Sequence, residues 1–330
     1  MISIRNNSKD PHFNLALEEY VFYNFDPKQD YVLLWQNEPS VIVGRNQNTM
    51  EEINYKYIKD NNINVVRRMS GGGAVYHDFG NLNYTFIVNS EKDVASNFKI
   101  FTEPVMSALA KLGVKAEFSG RNDITIDGKK FSGNAQLYSK HRLLHHGTIL
   151  FNSDLPVVQE ALNVKIDKLQ SKGVKSVRSR VTNVFPYLEE KITIEEFQDV
   201  LMKFFLDDDN YKENEYILTD VDLAAVNALM EKKYLTWDWN YGESPAFEIE
   251  KSKRFEGGNL SLKFNVKNGT LQKLRIYGDF FGKKDVSDIE KLLIGKQFQE
   301  EAVRKELQQI DYEEYFTGIT VDNFIECMFY

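Results

Sequence analysis

The stretch RRMSGGGAVYHDFGNLNYTF, from Arg67 to Phe86, sets two cations, three consecutive glycines and a His-Asp pair between two strand-like runs. Glycine has no Cβ, so Gly71, Gly72 and Gly73 can adopt backbone angles closed to other residues and bring N–H groups close to phosphate or carboxylate oxygens. Arg67 and Arg68 stand beside them to supply charge. The same letters describe a tight turn between strands flanked by a solvated basic pair. Two known phosphate loops are ruled out, because the chain has no GxxxxGKS or GxxxxGKT and its glycines do not form GxGxxG at the head of a long helix. A second segment of interest is RNDITIDGKKFSGNAQLY, where Asp127-Gly128 between strand-like runs marks a hairpin turn and Lys130 begins the return strand. Period-two alternation puts Phe131, Ala135 and Leu137 on one face and Lys130, Ser132, Asn134 and Gln136 on the other. Such a polar face either meets water or lines a substrate cavity, to which Lys130 would bring a compact charge on a flexible stem. Further along, a strand starting at His145 and His146 precedes SKGVKSVRSRVTNVFP, whose Lys172, Lys175, Arg178 and Arg180 suit a lid over an anion and equally a solvated loop. His77, His145 and His146 match no zinc spacing, and no Ser-His-Asp order can be recognised.

The elements that must position these residues come from a chain of 330 residues, 42% hydrophobic and 13% aromatic, enough for a sizeable core and two domains. A formal charge of -8 argues against a chain built to bind bulk nucleic acid, so its local basic residues need a local reason such as a small acidic substrate. The single cysteine, Cys327, can form no internal disulfide and no cysteine-ligated metal site, which fits a reducing compartment. The N-terminus MISIRNNSKDPHF has no apolar signal core and no long apolar run follows it, so a soluble, cytoplasmic protein without a membrane partner is expected. Asp10-Pro11 reads as a cap and first turn of a helix carrying Phe13, Leu17 and Val21. Strands are expected at Tyr31 to Gln36, Ser40 to Gly44, Ile63 to Arg68 and Asn83 to Val88, with a short helix at Glu51 to Asp60. Helices follow at Phe98 to Leu112, capped by Gly113, at Thr193 to Leu206 and at Val221 to Lys233. Past WDWNYGESPAF, the runs Phe247 to Glu256, Asn259 to Val266 and Thr270 to Tyr277 predict an antiparallel meander, followed by helices at Asp285 to Leu293, Gln299 to Ile310 and Val321 to Tyr330. These mixed elements make the first domain α/β or α+β, with the linker in the Gly, Ser and Pro region of WDWNYGESPAF and a small α+β domain beyond it.

In RRMSGGGAVYHDFGNLNYTF, SGRNDI with KFSGNAQ, HHGTILFNSDL, KGVKSVRSRVTN, and WDWNYGESPAF with KRFEGG and YGDFFG, the chain resembles the lipoate-protein ligases of the A type, whose catalytic domain is related to that of biotin ligases. These segments run in order along nearly the whole chain. The resemblance implies an enzyme whose catalytic domain activates lipoate with ATP to lipoyl-adenylate and pyrophosphate, then passes the lipoyl group to a lysine of an acceptor domain. It implies an α+β fold with a large mixed-sheet catalytic domain over 1–242, a linker at 243–247 and a small α+β C-terminal accessory domain over 248–330 that would move between the half-reactions. It further implies that Lys130 contacts both the acid's carboxyl and the α-phosphate, and that Arg68 binds nucleotide phosphate. Gly73, Ala74, Val75 and Tyr76 would present backbone groups to the nucleotide. Gly72 and His146 would lie near the lipoyl chain or its carboxyl, Arg180 and Asn183 would close over the adenylate, and magnesium would accompany ATP near Asp123. Implied partners are lipoyl domains of 2-oxoacid dehydrogenase acyltransferase subunits, the glycine-cleavage H protein, or both, with a monomer as the default state and no nucleic acid. Three alternatives compete. An ATP-independent octanoyl- or lipoyl-amidotransferase needs a catalytic cysteine, yet Cys327 falls in the small domain. A biotin ligase would carry a Gly-Arg repeat to which GRNQN at Gly44 to Asn48 is no equivalent. A non-catalytic paralogue that binds lipoyl domains is disfavoured by the intact Lys130 and glycine stretch.

Overall fold

The structure, a computed structural model, describes residues 1–47, 49–89, 97–162, 181–241, 249–267 and 269–329. An eight-stranded sheet runs in the order β11 (Tyr216–Ile217), β1 (Ile2–Arg5), β2 (Tyr31–Trp35), β6 (Asn81–Asn89), β10 (Arg142–Leu150), β9 (Lys129–Ser139), β8 (Asp123–Ile126) and β7 (Glu117–Ser119). It is mixed: β1 pairs in parallel with β2 and β11, and the remaining pairs are antiparallel. The run YVLLW in β2 is apolar throughout because both of its faces are covered. Val32 and Leu34 pack with Phe101, Val105 and Phe197, while Tyr31, Leu33 and Trp35 pack with Leu17 and Val21. The helix Pro11–Asn24 therefore covers one face, and the helices Phe98–Lys111 and Ile194–Leu206 cover the other. Each buried Leu, Val or Phe contributes roughly 1.5–3 kcal/mol.

Helix starts follow the cap chemistry. Asp10 accepts from the His12 amide at 2.8 Å ahead of Pro11, and Thr193 forms a capping box with Glu196. The expected helix over Glu51 to Asp60 divides into Thr49–Glu52 and Tyr55–Asp60, because Asn54 caps the second piece through the Tyr57 amide. The helix expected to run to Lys233 gives way after Leu229 to a π-helical turn, Met230–Tyr234. The N-terminal strand β1 has no counterpart among the expected elements.

A second sheet, β4 (Asn64–Arg67), β3 (Ser40–Val43) and β5 (Val75–His77), carries the glycine turn between β4 and β5. Beyond residue 248, β12 (Ile249–Phe255), β13 (Gly258–Lys267) and β14 (Thr270–Gly278) form the expected antiparallel meander. The helices Ser287–Leu293, Glu300–Leu307 and Val321–Phe329 close over it around Leu262, Phe264 and Phe324. Cys327 is buried in that core, where burial pushes its thiol up to about 11. Residues 243–247, expected as a linker, lie outside the described residues. Among the described residues no helix is long and apolar enough to cross a membrane.

The hairpin before Lys130 turns at Asp127 and Gly128, with φ values of 50° and 72°, the conformation Asp-Gly supplies. Strict alternation fails just beyond it. Thr125 pairs with Lys130 and Ile124 with Ser132, so Phe131 is an extra residue in a β-bulge. Phe131 packs with Ile124 and Tyr138 on the face covered by Phe98–Lys111 and Ile194–Leu206, whereas Leu137 belongs to the core under Pro11–Asn24. The bulge thus separates Lys130 from Ser132, Asn134 and Gln136, with which alternation grouped it. Those three are not solvated, and Asn134 among them also lines the cavity described below. They are 0%, 3% and 9% exposed, and Asn134 and Gln136 hydrogen-bond to His145 inside the core.

Candidate active site at the glycine turn

The two arginines do not stand free. Arg67 is buried, and its guanidinium donates to the carbonyls of Gly44, Arg45, Gln47 and Trp239 at 2.7–3.0 Å and to Thr49 Oγ1 at 2.6 Å. Arg68 reaches the glycine turn itself, donating to Gly71 O at 2.7 Å, Gly73 O at 2.8 Å, Ser70 Oγ at 3.0 Å and Ile42 O at 3.1 Å. Burial lowers both guanidinium pKa values to about 10, so both remain cations at neutral pH. Gly72 has φ +92°, and a Cβ there would meet Arg68 Nη2 at 2.9 Å, so the turn needs glycine for its conformation and for the closeness of its cation.

Between this turn and the large sheet lies a cavity of about 120 Å³. Arg68, Gly72, Gly73, Ala74, Val75, Lys130 and His146, all expected site residues, line it. Sequence reading missed Trp35, Asn83, Asn122, Gly133 and Thr148, which join them. Register shows how these residues come together. Trp35 in β2 pairs with Asn83 in β6, Asn83 pairs with Thr148 in β10, and Thr148 Oγ1 accepts from the Gly133 amide in β9 at 3.3 Å. The cavity therefore crosses four adjacent strands, three spacings or about 14 Å. Lys130 lies at the β9 end over Gly133, where a Cβ would meet Nζ at 2.7 Å. Trp35 and His77 lie at the β2 end with ring centroids 6.2 Å apart. Only the bulge at Phe131 puts Lys130 on this face.

Lys130 Nζ pairs with Asp123 Oδ1 at 2.7 Å, and its carbonyl accepts from the Thr182 amide at 2.9 Å. His146 Nδ1 lies 3.0 Å from the buried Glu18 carboxylate and Nε2 lies 2.6 Å from Ser70 Oγ. A carboxylate only accepts, so Nδ1 carries the proton and Nε2 accepts from Ser70. A chain Arg68→Ser70→His146→Glu18 thus runs beneath the cavity. His145, the preceding residue in the strand, points to the other side and stacks on Phe101 at 4.7 Å, where burial holds its pKa well below the usual range. The three histidines are not gathered, and among the described residues no group of three His, Cys, Asp or Glu could hold a metal.

Other expected residues lie off the cavity. Tyr76 follows Val75 in β5, so its side chain takes the opposite face and packs with Val41 and Ile58, while its backbone registers with Val41. The Asn183 amide is bonded to both backbone groups of Ser153, at 3.0 and 2.9 Å. Asp123 engages Lys130. Arg180, with the rest of the basic loop, lies outside the described residues.

Comparison with known proteins gives this geometry a family. The lipoyl protein ligase A/B catalytic domain model matches residues 10–206, and the bacterial lipoate protein ligase C-terminus model matches residues 244–328. The chain is 49% identical to lipoate-protein ligase LplJ of Bacillus subtilis over 331 residues, covering 100% of each, and 46% identical to lipoate-protein ligase 1 of Staphylococcus aureus, covering 98% of each. Among solved structures it resembles Plasmodium falciparum LipL1 in complex with lipoate, with a TM-score of 0.79 and 27% identity over 98% of each chain. It also resembles a lipoate-protein ligase A bound with ATP, with a TM-score of 0.63 and 29% identity over 73% of this chain and 98% of that one. A catalytic-domain match over more than half of the chain, together with relatives alike from end to end, means that this chain belongs to the lipoate-protein ligase A family.

Proposed function

We propose that this chain joins lipoate to AMP at the expense of ATP, releasing pyrophosphate, and then transfers the lipoyl group to a lysine ε-amine on an acceptor lipoyl domain. The observation that carries this reading is the cavity itself: a slot about 14 Å long, with one lysine at its β9 end and aromatic rings at its β2 end. A lipoyl chain extended along it, advancing roughly 1.2 Å per bond, covers about 10 Å of that length. Its carboxylate then lies at Lys130. A free carboxylate is a poor acyl donor to an amine, and conversion to a mixed anhydride supplies the leaving group. For in-line attack on the α-phosphorus, two anions must be brought together and their charge screened. Lys130 does this by exchanging Asp123 for the two substrates.

Gly73, Ala74, Val75 and Tyr76 offer backbone groups to the nucleotide, and Arg68 sets its potential from beneath the turn while holding two of its carbonyls. Gly72 and His146 border the acyl chain. Magnesium, supplied with ATP, would screen the phosphate charge, and Asp123, once freed from Lys130, would be the carboxylate to hold it. Arg180 and Asn183 close over the adenylate and exclude water, Asn183 after leaving Ser153. The acceptor amine loses its proton through desolvation and the nearby cations, which lower its pKa. Residues 1–242 act as the catalytic domain and 248–330 as the accessory domain, joined through 243–247, in a cytoplasmic monomer. Acceptors are lipoyl domains of 2-oxoacid dehydrogenases or the H protein, in line with a Thermoplasma acidophilum system in which a bipartite ligase is paired with its E2 lipoyl domain. A thioester route through Cys327 is disfavoured, because that thiol is buried with a raised pKa.

The test incubates purified protein with ATP, magnesium, lipoate and a lipoyl domain, and reads the acceptor by intact mass. Modification that persists without ATP overturns the ligase reading. Lys130→Ala is expected to lower the rate of adenylate formation by at least about a hundredfold, as loss of one electrostatic stabiliser does, with an unchanged unfolding profile. Retention of the rate would remove Lys130 from its assigned role.

A further inference from the structure

His77 is 2% exposed and lines the β2 end of the cavity, and its Nε2 has no hydrogen-bond partner among the described residues. The proton on this ring is assigned by its neighbours. Asn14 Nδ2 donates to two backbone carbonyls, Gln36 O at 2.9 Å and Ser8 O at 3.2 Å, which accept only, so the orientation of the Asn14 amide is fixed. The two protons of Asn14 Nδ2 serve three acceptors, Ser8 O at 3.2 Å sharing one of them, and a donor nitrogen 2.9 Å from Asn37 faces its Oδ1. The other end of that amide, Nδ2, lies 3.0 Å from His77 Nδ1 and donates to it. Nδ1 is thus an acceptor, and the ring proton sits on Nε2. Burial, with Arg68 and His146 nearby, lowers the pKa of His77 to about 3, so the ring is neutral.

We propose that the Asn14–Asn37 amide chain locks His77 as the Nε2–H tautomer, which donates to a lone pair at the far end of the bound acyl tail and so selects a dithiolane-bearing acid over a plain alkyl acid. This rests on the proposed function, which puts the carboxylate at Lys130 and the tail end beside Trp35 and His77. A saturated alkyl terminus would leave a buried N–H unpaired, and a site with an unpaired donor rejects the analogue that lacks the acceptor. Sulfur accepts weakly, so the discrimination is modest, about three- to tenfold.

Adenylation of (R)-lipoate and of octanoate is compared in four full-length proteins: the unsubstituted chain, His77→Met, His77→Gln and Asn37→Asp. The ratio of kcat/KM for the two acids is expected to fall about three- to tenfold in His77→Met and to be held by His77→Gln, whose amide nitrogen reaches the Nε2 position. Asn37→Asp turns a donor into an acceptor, so it should move the proton to Nδ1 and abolish the preference without altering any cavity-lining residue. 15N NMR of histidine-labelled protein reads the tautomer directly and independently of activity. A proton on Nδ1 in the unsubstituted chain, or an unchanged ratio in His77→Met, overturns the proposal. If the unsubstituted chain adenylates both acids equally, this proposal alone falls; if it binds neither, the proposed function falls with it.

Discussion

Arg67 and Arg68 are adjacent and chemically identical, yet one fastens the frame and the other the site. Arg67 ties the segment Gly44 to Thr49 to Trp239, a partner 172 positions away in sequence, while Arg68 bonds to Ser70, Gly71 and Gly73 of its own turn and to the neighbouring strand at Ile42. The sequence marks both as cations next to glycines, and nothing local tells which will be buried under distant carbonyls. The histidines are similarly divided by a single step along β10, since His146 meets the cavity and His145 the core. That division carries a pH dependence. His145 and His77 are held neutral in the fold, with pKa values lowered by burial, whereas in the unfolded chain each takes up a proton near pH 6.5. Above that pH neither state binds the protons and the stability is fully present. As pH falls below 6.5, the unfolded state binds more protons and stability is lost, by up to about 1.4 kcal/mol per pH unit for each histidine, for His77 until the pH nears its folded value of about 3. Urea denaturation between pH 7 and 5 should show this decline, and His145→Gln should make it shallower by about one proton. An unchanged slope would mean that His145 is not neutral in the native state.

The β8–β9 hairpin governs the site more directly than any other element. Its turn was legible, because Asp-Gly between strand-like runs specifies both its place and its conformation. The helix starts at Asp10 and Thr193 were legible for the same reason: a side-chain oxygen must satisfy the first free amides. The bulge was not. A period-two reading has no place for an inserted residue, and one insertion exchanges the faces of everything on one side of it. Alternation therefore groups Lys130 with Ser132 and Gln136, neither of which lines the cavity that Lys130 and Asn134 line, and it overlooks Gly133, which shares the face of Lys130. Gly133→Ala tests this arrangement. The added methyl would meet Lys130 Nζ at 2.7 Å and Cε at 2.8 Å, the far end of a flexible chain, so the lysine yields and the strand does not. Adenylation is expected to fall by about ten- to a hundredfold, as a displacement near 1 Å of a positioned group costs, with the thermal midpoint within a degree or two of the parent. Loss of the fold instead would show that the hairpin cannot absorb the methyl.

The two parts of the molecule meet where the chemistry is assigned. Arg45 pairs with Asp285, the Gly278 amide donates to Asn46 O at 2.6 Å, and the Gly72 amide donates to Phe280 O at 3.4 Å. Phe281 lies against the glycine turn, its ring 3.2 Å from where a Gly72 Cβ would be, and beneath the Arg121 guanidinium at 4.4 Å from its centroid. Arg121 also donates to Gly257 O. Every one of these contacts falls on segments flanking the cavity, so the accessory part covers the turn whose amides are proposed to face the nucleotide. The amide just ahead of them, Gly72 N–H, at a residue proposed to border the acyl chain, is engaged by Phe280. Its bond is long and its partners are backbone groups at the rim, so it contributes little and is readily exchanged for a charged oxygen, which makes a stronger bond with the same donor. Filling the cavity with a non-hydrolysable lipoyl-adenylate analogue should therefore loosen the whole set of contacts, because they share the same few residues. Hydrogen exchange followed by mass spectrometry is expected to show faster exchange across residues 278–283 with the analogue bound, including the amide of Gly278, and slower exchange across residues 71–76. Equal protection of both segments with and without the analogue would mean that adenylate and accessory domain occupy the turn together, and that Phe280 is part of the pocket's wall.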